Sequence, residues 1–177
     1  NAIAIGPNAG ARSGAIGQGD SAVAIGNGAG RTNQGSQTVA IGLNAGNINQ
    51  GSSSVAIGNN AGAGSGAIGQ QAAAVAIGEN AGVTTQGPSA VAIGSGAGQT
   101  NQATQAVAIG LQAGQTTQRL NAVAIGASAG QTNQQSSAIA IGFQAGQGTQ
   151  GTNAISIGVL AGGNSQSQTA VAIGNTA

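Results

Sequence analysis

Five side chains make up the whole ionic inventory of this 177-residue sequence: Asp20, Glu79, Arg12, Arg31 and Arg119. General acid–base catalysis needs titratable groups converging on one substrate, and the two carboxyls stand in different parts of the chain. Histidine and cysteine are absent, which removes the soft metal ligands and the commonest nucleophile–base pairs. Three arginines are too few to neutralise a nucleic-acid backbone. The expectation is a protein without catalytic residues, metal site or cofactor, and with no nucleic-acid partner. What polar chemistry remains is that of amides and hydroxyls. Gln recurs at Gln18, Gln34, Gln50, Gln70, Gln86, Gln102, Gln118, Gln134, Gln150 and Gln166. Identical amides stacked one above another hydrogen-bond as a ladder, so this row is expected to be structural rather than ligand-binding. A Thr/Asn-rich stretch precedes most of these glutamines, as in Thr84-Thr85, Thr100-Asn101 and Thr116-Thr117.

The Gln row is periodic because the chain is. The sentence A-V-A-I-G-x-x-A-G-x-x-x-Q recurs, and the glycine closing A-I-G falls at intervals of 16 residues from Gly6 to Gly174, except for two intervals of 20. A repeat of this size is one supersecondary unit that cannot bury its apolar face alone, so copies must stack. Within each repeat, β-branched residues alternate with Ala, which reads as a short strand. Isoleucine always precedes the marker glycine: Ile25, Ile41, Ile57, Ile77, Ile93, Ile109, Ile125, Ile141, Ile157 and Ile173. Val and Ile share one face and Ala the other. The larger side chains are expected to form the core, and the smooth Ala face a contact with another sheet.

After each strand, G-x-x-A-G supplies the glycines of a tight corner. Both long repeats keep the spacing from Gln to the next marker glycine, so their four extra residues fall in the twin segments Ala11–Gly17 and Ala63–Gly69. The position after the marker varies, which suggests an outward face; its apolar members Leu43, Leu111, Phe143 and Val159 are candidates for touching a neighbouring chain. No apolar run approaches the roughly 20 residues of a membrane-spanning helix. With 35 glycines and 3% charged residues, against about 25% charged in ordinary globular chains, the sequence reads as building material. The fold class expected is all-β, a parallel β-solenoid or β-roll of about ten 16-residue coils and two of 20. Residues 1–177 read as one repeat domain cut from a longer repetitive chain. At about 4.8 Å per coil the rod is about 50 Å long.

The A-V-A-I-G core resembles the head repeats of trimeric autotransporter adhesins, and similar repeats occur in fibre and surface proteins of microbes and viruses. The resemblance covers nearly the whole chain, although the family's repeats are shorter and lack the fixed Gln. It implies a left-handed β-roll, association of identical chains, and an extracellular or particle-surface location. The function expected is a structural fibre or filament subunit, whose partners are copies of itself, without membrane insertion. The alternatives are an adhesin head that binds a host or matrix surface, and an ice-binding solenoid using the Thr/Asn stretch. Adjacent threonines point to opposite faces of a strand, which argues against the last.

Overall fold

The computed structural model describes residues 1–11, 17–65 and 69–177. Arg12 and the central parts of both four-residue insertions lie outside the described residues. The described chain contains no helix and winds as a parallel β-solenoid. The V-A-I segments form one 11-stranded sheet running from Ile3–Ile5 to Val171–Ile173. Each strand pairs in register with the same columns of the next coil, as in Val107↔Val91, Ala108↔Ala92 and Ile109↔Ile93. On the other side of the coil, the residues ending in Gln form strands of two or three residues. Thr32–Gln34 pairs with Ile48–Gln50, and a six-stranded sheet runs from Thr85–Gln86 to Ser165–Gln166.

Two corners join the strands of each coil, and both use left-handed backbone. The marker glycines sit near φ +125°, for example Gly110 at +129°. A Cβ built on Gly110 would lie 2.7 Å from the carbonyl oxygen of Gly126 in the next coil. Conformation and space therefore both demand glycine there. At the opposite corner, the residue five positions before the marker is left-handed without being glycine, as at Ser53 (φ 60°), Ala73 (φ 56°) and Gln105 (φ 57°). Such a conformation costs an L-residue roughly 1–2 kcal/mol, and Ala73 is exposed. Replacing Ala73 by glycine is expected to raise stability by about 1 kcal/mol. For a chain of this size that is a melting point about 2–4 °C higher, measured by circular dichroism; a lower melting point would contradict the left-handed corner.

The interior reverses the expected assignment of faces. Every Ala from Ala24 through Ala140 in the centre of the V-A-I strands is fully buried, as are the corner alanines from Ala29 to Ala161. The largest fully buried side chains are glutamines. Ile25, Ile41, Ile57, Ile77, Ile93 and Ile109 are half-buried, while Ile125, Ile141, Ile157 and Ile173 are exposed. They point out of the coil, not into it, and Ala is not the contact face. The cause is the width of the lumen. A coil of 16 residues with strands of two or three leaves space between its walls for an Ala methyl and a flat amide. A Cβ on Gly114 would already fall 2.8 Å from the Gln118 amide and 3.3 Å from the Ala108 methyl. Period-two alternation separates two faces but does not say which is inside.

Candidate functional site

Each inner glutamine spans the lumen. Gln118 Nε2 donates to the carbonyls of Val107 (2.6 Å) and Ala122 (3.2 Å) and to Gln134 Oε1 (3.1 Å). Its own Oε1 accepts from Gln102 Nε2 at 3.1 Å. The row runs unbroken from Gln102 through Gln118, Gln134 and Gln150 to Gln166, with each amide donating towards the later coil. A second run joins Gln34, Gln50 and Gln70. Gln18, half-buried in the first described coil, donates to the carbonyls of Ile3 and Ala22. Buried amides need partners; every Nε2 of the row finds one within the coil, while the buried Oε1 atoms of Gln34, Gln86 and Gln102 have none, and the Gln row is internal scaffolding.

Three further features of this network emerge only in the folded chain. Gln147, Gln131, Gln115 and Gln99 form an outer row whose amides donate towards the earlier coil, opposite to the inner row. Asn44, Asn60 and Asn80 form a third row. Ser156, the one exception in the Ala column, donates to Gln166 Oε1 at 2.7 Å and accepts from Gln150 Nε2. The recurrence of Gln at intervals of 16 from Gln99 to Gln147 is the sequence signal that could have found the outer row.

The surface feature of greatest extent is the outward ribbon. Val and Ile from 11 strands lie side by side along one face, a strip about 7 Å wide in backbone and about 50 Å long. Exposure rises at both ends, to 57% at Ile5 and 65% at Ile173. Leu43, Leu111, Phe143 and Val159 are exposed at the adjoining corner. Leu111, Phe143 and Val159 lie on the last coils, while Asn59, Glu79 and Ser95 occupy that column before them. Monomers rarely expose apolar patches beyond a few hundred Å² without a purpose.

Among the described residues nothing comparable gathers reactive groups. Asp20, Glu79, Arg31 and Arg119 are exposed, and the strands nearest the two acids are three steps apart in the long sheet, roughly 14 Å along the axis. No cluster of three or more metal-ligating residues occurs among the described residues. No helix there is long and apolar enough to cross a membrane. A concavity of about 420 Å³ at the C-terminal end is lined by Gln147, Leu160, Asn164, Ser165 and Thr176, with no acidic, basic or thiol side chain. Comparison with protein-family models, curated proteins and solved structures finds no match to the chain.

Proposed function

We propose that this β-solenoid is a structural subunit, without catalysis, that associates through its Val/Ile ribbon with copies of itself to build an extracellular or particle-surface fibre. The observation that carries the reading is that ribbon: an apolar strip along the whole rod, repeating at the coil spacing. The surface that matches its period is the same strip on another copy. Its area is on the order of 350 Å² from strand count and spacing, short of the roughly 800 Å² per partner of a standard interface. Leu111, Phe143 and Val159 widen it at one end. The variation of that corner column from Asn27 to Phe143 favours a second reading, an adhesin head, in which those positions meet a host or matrix surface.

The test is the double substitution Val107→Lys with Ile109→Lys. Both residues face out, so the chain is expected to keep its β-sheet circular dichroism. Light scattering coupled to size exclusion is expected to fall from the assembled mass to that of one 16.3 kDa chain, because a buried unpaired charge is strongly disfavoured. Assemblies that survive the substitution, or an unsubstituted chain that is monomeric and shows no filaments by electron microscopy, would overturn the proposal.

A further inference from the structure

We infer that two copies of the chain meet antiparallel, related by a two-fold axis that crosses the ribbon between the coils of Ala127 and Phe143. This arrangement rests on association through the Val/Ile ribbon and adds its direction and its centre.

Two observations fall on the same coils. The corner column beside the ribbon, one residue after each marker glycine, holds Ser95, Leu111, Ala127, Phe143, Val159 and Asn175 on six successive coils. Leu111, Phe143 and Val159 are exposed, and the smaller Ala127 leaves a hollow between Leu111 and Phe143. The ribbon is also more open here: Ile125, Ile141 and Ile157 are exposed, whereas Ile93 and Ile109 are half-buried. Earlier in the column Asn59 and Glu79 are polar, and Leu43 stands alone between Asn27 and Asn59. The apolar surface is therefore three columns wide over these coils and two columns wide before them.

The corner column is self-complementary when reversed about its midpoint. Ser95 then lies opposite the partner's Asn175, Leu111 opposite the partner's Val159, and Ala127 opposite the partner's Phe143. Polar meets polar, and the ring fills the hollow. An axis across the rod produces this match, because it reverses the order of the coils and leaves each column on itself. Ile125 lies over the partner's Ile141. An axis along the rod does not produce it. Placed on the ribbon midline, such an axis swaps the rims and sets the apolar corner against Gln105, Asn121, Ser137 and Asn153, which are exposed two residues before each strand. Moved onto the corner, it stacks Phe143 on the partner's Phe143 and Glu79 on the partner's Glu79, and facing like charges are unfavourable. The antiparallel pair separates the two glutamates by seven strand steps, about 34 Å. The overlap from Ser95 to Asn175 measures about 10 Å by 25 Å. On the order of 250 Å² per partner, against roughly 800 Å² in a standard interface, makes this a weak, concentration-dependent contact.

The chain has no cysteine, so Asn59→Cys carries a single spin label. Four strand steps lead from the Asn59 coil to the Ala127 coil in each copy, and one more crosses the axis. The two labels are then about 43 Å apart along the rod. Pulsed electron paramagnetic resonance reads that distance on the full chain, at concentrations where light scattering shows association. Parallel copies would bring the labels within roughly 15 Å, seen as dipolar broadening. Charge complementation gives a second readout. Leu111→Glu and Val159→Lys are expected to keep the β-sheet circular dichroism, since both side chains are exposed and the column already holds Glu79. Each alone should raise the concentration needed for association about tenfold, and an equal mixture should restore it to within about twofold. Association with the labels close together, or a mixture no better than its components, would overturn the antiparallel pair and leave the ribbon contact standing. A chain that stays monomeric would overturn both.

Discussion

Gln118→Leu is expected to lower the free energy of unfolding by about 4 kcal/mol. Leucine is branched where the amide is flat and larger by about one methylene, so some packing strain adds to a loss that is chiefly polar. Two donated bonds disappear, shared among the carbonyls of Val107 and Ala122 and Gln134 Oε1, together with the one accepted from Gln102. The Ala122 carbonyl keeps the Val107 amide, but Gln134 Oε1 is left buried without its partner. One stranded buried acceptor costs about 1–3 kcal/mol and each lost bond about 1 kcal/mol. Gln131→Leu is the comparison: it removes bonds of similar length from the outer row, where the half-buried amide is replaced by water, and should cost less than about 1 kcal/mol. Urea titration of the two variants checks this. Equal effects would mean that burial of the inner row contributes nothing beyond the bonds themselves.

Gly110→Ala is expected to cost about 3 kcal/mol or more, from a backbone region that is almost closed to other residues. At φ +129° alanine is strained on its own, and its methyl would meet the Gly126 carbonyl carbon at 2.8 Å and its oxygen at 2.7 Å. Stacked coils leave no direction in which to yield, because Gly126 stands in the same relation to Gly142. Gly96→Ala separates the two causes. That glycine has φ +67°, and a methyl placed on it would find Gln112 Cγ as its nearest neighbour, at 3.5 Å. Other coils place Asn, Gln or Ser there, as at Asn80, Gln112 and Ser128. Its cost should be about 1 kcal/mol. Thermal melts should therefore show a drop of about 6–12 °C for Gly110→Ala. A smaller drop than that of Gly96→Ala would be incompatible with the stacked glycine corner.

The spacing of Ile and Gly announced the solenoid because periodicity survives any uncertainty about local conformation. The faces were harder to read. Val and Ile are usually interior, yet here the width of a 16-residue coil admits Ala108 and Gln118 and leaves Ile109 outside. Lumen width is a property of the closed coil, and no single strand carries it. The chemistry of the Gln column was legible in its regularity, since a fixed amide among variable neighbours needs fixed partners. The pauses in that row at Gln70 and Gln86 were not legible. They arise from which carbonyl each Nε2 reaches, and Gln86, preceded by the same Thr-Thr pair as Gln118, gives no sign of it in sequence. Asn33 and Thr117 show the same limit: the column tolerates both, and only the backbone distinguishes them.

Each coil turns 16 residues into a single strand step, about 4.8 Å of axial advance. The rod therefore advances only about 0.3 Å per residue, where an extended chain covers about 3.4 Å. Unwinding one coil releases about 50 Å of contour, as much as the whole rod is long. Material made of such coils holds roughly ten times its own length in reserve. Under load it would lengthen by discrete coil-sized increments before any covalent bond was strained.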